Sequence, residues 1–322
     1  MRKQHQPERH RAVQPVVLDG PKGTELQRFG LSVTDPWWTT VALLTGDGRR
    51  LLRRIHHEYV SAGADVVTAN TFRTNLRTLR RAGVAEDRAW ALVRDAVTDA
   101  RSAVGASGDR VLAASMSPVE DCYQPSLVPP AGELRHEHGW LAGQLAAEGV
   151  ELVIAETMNT MREAVIVAET CVSLDLPVWV SFVCGAGGRL LSGEPIDAAA
   201  RAVATAGASA VLVNCTELEH LDEALKILAA ECPVPIGAFP NLEDRSGIAA
   251  WTAVDRHVPT RCTPQEFAAE LARSADFFDL SIVGGCCGTT PQHVRALRER
   301  LPRQIMPKAR DPWVWKHETR LE

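Results

Sequence analysis

Two adjacent cysteines, Cys286 and Cys287, sit in the stretch Ile282-Val283-Gly284-Gly285-Cys286-Cys287-Gly288-Thr289-Thr290-Pro291. Successive side chains of a regular strand point to opposite faces, so a strand cannot aim two thiols at one point. A glycine turn can, because residues without a Cβ accept sharp backbone paths and leave their neighbours uncovered. Thiolates are soft ligands, and two aimed at one point make part of a metal site that still lacks a partner. The plainer readings are buried thiols acting as small hydrophobes and a vicinal disulfide, which is strained.

The turn is positioned by what flanks it. The mostly apolar run Phe277–Val283 enters it as a strand, and Thr290 followed by Pro291 is a helix cap with a favoured first residue. The same alternation recurs along the chain. Strands are expected near 15–18, 64–72, 110–116, 150–155, 177–183, 208–213, 234–238 and 277–283. Helices fall between them: after Asp35-Pro36 through to Tyr59, then over 85–104, 133–147, up to Cys171, 196–206, 218–230, from Thr263-Pro264, and 291–301. Glu266, three residues after Thr263, completes a capping box. Near-continuous apolar strands suit a parallel sheet covered on both faces. Eight strand–helix units in 322 residues predict an α/β fold, a single (β/α)₈ TIM barrel. An open doubly wound sheet is the alternative, weakened by the lack of G-x-G-x-x-G after the first strand. The expected division is a disordered N-terminal tail at 1–14, one barrel domain at 15–302 and a C-terminal tail at 303–322. Trp313 and Trp315 make that last tail a loose arm or a contact with a second copy of the chain, which would give a homo-oligomer.

Composition removes several function classes. A net charge of -5 sets up no field favouring nucleic acid or an anionic membrane. No apolar run approaches the ~18 residues of a membrane span, and the polar, basic start lacks a signal-peptide core. Eight irregularly spaced cysteines in so long a chain predict a reducing, cytoplasmic setting with thiols or ligands and no disulfides.

In a barrel of this kind, active sites lie at the carboxyl ends of the strands. Those ends read Asp19, Asn70 to Phe72, Met116, Glu156, Cys184, Asn214 with Cys215, Phe239 with Asn241, and Cys286 with Cys287. Cys215 ends the sixth strand and the double cysteine ends the eighth, so the two ends are within ~10 Å of each other. Three thiolates converging there suit Zn²⁺ and leave its fourth position open, as in catalytic sites. Zinc with three thiolates carries a net negative charge and is a poor Lewis acid for hydrolysis. It still holds a fourth sulfur as a nucleophilic thiolate, which favours alkylation of a thiol substrate.

Together, Gly284 to Thr290, Asn214-Cys215-Thr216, Ala69-Asn70-Thr71-Phe72, Glu156-Thr157-Met158, Ser192-Gly193-Glu194 and Leu18-Asp19-Gly20 resemble the zinc-dependent homocysteine S-methyltransferases, over about residues 15–302. The resemblance implies a (β/α)₈ barrel that methylates homocysteine to methionine, with one Zn²⁺ held by Cys215, Cys286 and Cys287 and no catalytic residue beyond the zinc site. Chain length points to the compact branch, whose donor is a sulfonium, S-methylmethionine or S-adenosylmethionine. The expected partners are thus a small-molecule thiol and a sulfonium methyl donor. Glu156 would pair the substrate ammonium, Asp19 would help with the amine or orient the turn, Gly20 would join it in substrate binding, and Asn214 would bind substrate or fix the Cys215 turn. Trp37, Trp38, Phe72 and Phe239 are the aromatic candidates for facing a sulfonium. His56 and His57, on a helix, are not assigned to the metal.

Two loops depart from the family pattern. Pro21 stands where a small residue is usual and has no N–H to offer a substrate carboxylate, while Lys22, where an apolar residue is usual, brings a cation instead. The stretch from Leu242 to His257 also differs. Alternative functions are therefore methylation of another small thiol or selenol, a zinc-binding barrel without catalysis, and a phosphate-binding barrel, against which the two turn thiols argue.

Overall fold

The computed structural model describes residues 14–105, 108–252 and 254–301. The expected tail at 303–322 and nearly all of that at 1–14 lie outside the described residues. Eight strands form one parallel sheet: β1 (Val16–Val17), β2 (Val66–Ala69), β3 (Val111–Met116), β4 (Leu152–Met158), β5 (Val178–Phe182), β6 (Ala210–Glu217), β7 (Ile236–Asn241) and β8 (Ile282–Val283). Each pairs with its sequence neighbours, and β1 pairs with β8. A parallel bridge from Leu18 to Val66 joins the first two strands, so the sheet closes on itself as a (β/α)₈ barrel. Among the described residues ten α-helices surround it: α1 (Lys22–Arg28), α2 (Gly46–Ala62), α3 (Leu76–Arg81), α4 (Glu86–Val104), α5 (Ala131–Ala147), α6 (Met161–Ser173), α7 (Ile196–Thr205), α8 (Leu218–Glu231), α9 (Pro264–Phe278) and α10 (Pro291–Arg300).

The strands are buried on both sides, which is why they read as unbroken apolar runs. The helices bury one stripe. In α2 that stripe is Leu52, Ile55, Tyr59 and Ala62, at helical spacing. Thr45 caps α2 by accepting from Gly48 N, and Gly63 ends it in a left-handed conformation. The seam beside β1 is tied by Asp65, whose carboxylate accepts from Val17 N at 2.9 Å and pairs with Arg298 of α10.

The eighth strand is shorter than the run 277–283. Phe277 and Phe278 are the last turn of α9, Phe277 is 80% exposed, and left-handed Asp279 ends the helix. Phe277 prolongs the helix on its solvent side while Phe278 packs against the core, and the unbroken hydrophobic run mimics a strand. The helix expected after Asp35-Pro36 is two elements, a 3₁₀ segment Trp38–Leu44 and then α2, separated by extended Thr45. Helices α1 and α3 are short and polar, and the periodicity does not show them.

Candidate active site

The first loop leaves β1 at Asp19. Its carboxylate is buried, accepts from Thr68 N at 2.9 Å, and lies 2.5 Å from Lys22 Nζ. Lys22 Nζ also donates to Gly20 O at 3.1 Å. Burial raises the Asp19 pKa and outweighs the opposing pull of Lys22. A Cβ at Gly20 would collide with the Tyr59 ring, so only glycine lets the loop pass under α2. Tyr59 donates its hydroxyl to Pro21 O.

At the end of β4, Glu156 accepts from Ser115 Oγ. Burial raises its pKa, partly opposed by that hydrogen bond and by Lys22. The next residue, Thr157, has a left-handed φ of 59°, and Cys215 at the end of β6 has 48°. Both conformations are unfavourable for residues with a Cβ and persist only where the surroundings enforce them. At Thr157 the enforcing group is Asn214. Its Oδ1 accepts from Thr157 N at 2.9 Å and Ser181 Oγ at 2.7 Å, and its Nδ2 donates to Thr157 Oγ1 at 2.8 Å.

The glycine turn after β8 works through close approach and one left-handed residue. A Cβ on Gly284 would lie 2.7 Å from that of Leu18, and Gly288, at φ 81°, would press on Glu243 N at 2.8 Å. Thr289 Oγ1 donates to Cys286 O at 2.7 Å and Cys286 N donates to Pro240 O at 3.0 Å, which fixes the turn against β7.

These elements bring the Sγ atoms of Cys215, Cys286 and Cys287 within 4.8 Å of one another, and among the described residues this is the one such group that could hold a metal ion. Within that group Cys215 Sγ and Cys286 Sγ are drawn into contact. The physical reason is convergence, because strand ends separated by 71 residues in sequence deliver their thiols to one point. The donor set also fits zinc. Zn–S bonds of about 2.3 Å in a tetrahedron place sulfurs about 3.8 Å apart, and Cys215 Sγ lies 3.9 Å from Cys287 Sγ. In the reduced protein, small side-chain rotations bring Cys286 into the same arrangement.

Above the cluster opens a cavity of about 200 Å³ at the carboxyl ends of the strands. Asp19, Gly20, Lys22, Glu156 and the three cysteines all line it. Asn214 does not: it is fully buried beneath the wall, with its amide engaged as described.

The homocysteine S-methyltransferase family model matches residues 16–301. The chain belongs to the homocysteine S-methyltransferase family. It is 28% identical to homocysteine S-methyltransferase 4 of Zea mays over 87% of each chain. It is 26% identical to the selenocysteine Se-methyltransferase of Brassica oleracea var. italica over 88% of each. The metallated form of the Escherichia coli homocysteine methyltransferase MmuM superposes with a TM-score of 0.76 at 22% identity, over 90% of this chain and 97% of that one, which shows a common fold.

Within this family member, the aromatic candidates divide. Trp38, Phe72 and Phe239 line the cavity, whereas Trp37 packs against the α2–α4 core. Cys184 sits apart from the sulfur cluster, its thiol pushed up to about 12 by burial. Sequence reasoning missed Arg73, Cys122, Tyr123, Glu243 and Arg245, all on the cavity wall. They come from loops with no periodicity to place them. Glu243 and Arg245 form an ion pair at 2.9 Å inside the divergent 242–257 loop, the one sequence signal that pointed there. No helix among the described residues is long and apolar enough to cross a membrane.

Proposed function

We propose that this chain transfers a methyl group from a sulfonium donor, S-methylmethionine or S-adenosylmethionine, to the thiolate of L-homocysteine, giving methionine. The observation that carries this reading is the convergence of Cys215, Cys286 and Cys287 on the wall of a cavity that also presents Glu156 and Asp19. Zn²⁺ held by the three cysteines supplies, when bound, a Lewis acid that keeps the substrate sulfur ionised at neutral pH. Glu156 holds the substrate ammonium. Asp19, Gly20 and Lys22 form the seat for its head group. Asn214 acts from below, locking Thr157 in its left-handed conformation. As the new S–CH₃ bond forms, the old one breaks and its electron pair stays on the donor sulfur, which leaves as a neutral thioether. Opposite charges vanish in that step, so a buried cavity speeds it, and in-line positioning contributes the rest. Holding the metal needs all three cysteines as thiolates, a requirement that a reducing, cytoplasmic setting meets. The catalytic domain is taken as 15–302, and a homo-oligomer is compatible with it.

The Asp19–Lys22 pair favours a second reading, methylation of another small thiol or selenol, because it remodels the loop expected to receive the head group. A zinc-binding barrel without turnover is the non-enzymatic alternative. Reduced protein assayed for zinc, and for methylation of homocysteine, cysteine and selenocysteine with each sulfonium, separates these readings. Methionine formation is expected; zinc binding without methylation of any acceptor would leave only a binding barrel.

A further inference from the structure

Glu243 and Arg245, in the loop after β7, line the cavity with side chains 5% and 11% exposed. Glu243 Oε2 accepts from Arg245 Nη1 at 2.9 Å, and Arg245 Nη2 donates to Thr252 O. Among the described residues Glu243 Oε1 has no partner, yet it is not sealed in the interior. With so little of the side chain exposed, the space that this oxygen faces is the cavity. The backbone holds the carboxylate in place. Glu243 N donates to Asn241 Oδ1 at 2.9 Å, Leu242 N donates to Cys287 O at 2.8 Å, and Glu243 bridges to Thr260. Glu243 is thereby fixed beside the double-cysteine turn. A buried ion pair seldom adds stability over apolar residues of the same size. A carboxylate oxygen left open in such a wall is an acceptor for the N–H of a cation. The other anions of the wall are engaged: Asp19 meets Lys22, Asp121 Oδ1 accepts from Tyr123 N at 2.9 Å, and Glu156 is assigned to the acceptor's ammonium.

We infer that Glu243 receives the α-ammonium of the methyl donor, with Arg245 orienting its carboxylate; this rests on the methyltransferase reading. Strand order separates the two substrates. β7 lies between β6 and β8, whose ends carry the three cysteines. The acceptor's contacts, Asp19 and Glu156, follow β1 and β4, which flank the opposite arc of β2 and β3. An acceptor with its sulfur at the cysteines and its ammonium at Glu156 runs across the mouth, away from the loop after β7. Glu243 stands outside that sector and is left to the second substrate. Both S-methylmethionine and S-adenosylmethionine carry the free α-ammonium that its open oxygen accepts.

The test compares S-methylmethionine with its N-acetyl derivative on wild-type protein, on Glu243→Gln, and on the double variant Glu243→Gln, Arg245→Gln. Wild-type KM should be about tenfold higher for the N-acetyl donor, the scale of one charged hydrogen bond. Glu243→Gln should raise the S-methylmethionine KM by about the same factor and leave the N-acetyl donor and homocysteine KM values unchanged. If the unpaired arginine keeps that variant from folding, the double variant removes both charges and should show the same pattern. An equal loss for both donors, a change confined to homocysteine, or a wild type indifferent to N-acetylation overturns the assignment while the methyltransferase reading stands. If wild-type protein turns over no acceptor, that reading fails by itself. Calorimetric binding of S-methylmethionine then decides: about tenfold weaker binding to the Glu243→Gln protein supports the assignment, and equal affinity, or no binding to wild type, overturns it.

Discussion

Lys22 Nζ lies 2.5 Å from Asp19 Oδ2, and both side chains are buried at the cavity wall. The cation that the divergent first loop introduces is thus directed at the loop's own carboxylate. Asp19 in turn anchors the backbone of β2 through Thr68 N. The pair ties the first loop to the barrel wall.

Removing the cation leaves a buried carboxylate with no charge to meet it. Lys22→Ala is expected to raise the homocysteine KM about tenfold, the scale of one lost charged hydrogen bond. The double variant Asp19→Asn, Lys22→Ala should lie closer to wild type if pairing is the role of Lys22. An unchanged KM in the single variant removes Lys22 from substrate handling.

Alanine at Cys215, Cys286 or Cys287 should abolish tight zinc binding and lower kcat/KM well over a hundredfold, more than the loss of an outer-shell partner costs. Cys184→Ala, away from the cluster, should leave metal content and rate unchanged. Elemental analysis of protein purified under reducing conditions, paired with the methylation assay, reads both.

Burial raises the Glu156 pKa above the ordinary carboxylate value. In its proposed role the charged form binds the substrate ammonium, so homocysteine KM should rise on the acid side, beginning at a higher pH than an ordinary glutamate would give. Glu156→Gln should raise KM at neutral pH and erase that inflection. The stability sign is opposite. A raised folded-state pKa contributes stability that is present below the unfolded value and lost as pH rises through the folded one. Glu156→Gln should therefore be more stable than wild type at neutral pH, and denaturant melts across pH would show it.

Asp65 ties β1 to α10 through Val17 N and Arg298. Asp65→Ala leaves a buried N–H and a mostly buried guanidinium without that acceptor and should cost about 3 kcal/mol. Urea unfolding is the measurement. A loss under about 0.5 kcal/mol would show that the seam is held by the strand pairing alone.

The barrel was legible because its strands are buried on both sides and so read as apolar runs, each followed by an amphipathic helix. The same feature misled at Phe277 and Phe278, where two apolar residues in the last turn of a helix extended the run. The cysteines were legible for another reason. Cys286 and Cys287 are adjacent in sequence and flanked by glycines, so local chemistry alone marks them. Arg73, Tyr123 and Arg245 carry no such mark, because they reach the cavity through irregular loops whose paths are set by distant partners such as the carbonyls of Pro118 and Glu120.

By itself, the sequence determined the order of elements, the face of the barrel where chemistry gathers, and the thiols that meet there. These follow from the spacing of apolar residues and from local turn chemistry. Only the tertiary structure decided how the charges are used. It turned Lys22 onto Asp19, withdrew Asn214 beneath the wall to hold Thr157, brought Cys215 against Cys286, and set Arg73 on the cavity wall. Hydrogen bonds and ion pairs depend on distances of a few tenths of an ångström between residues far apart in the chain, and only the closed barrel sets those distances.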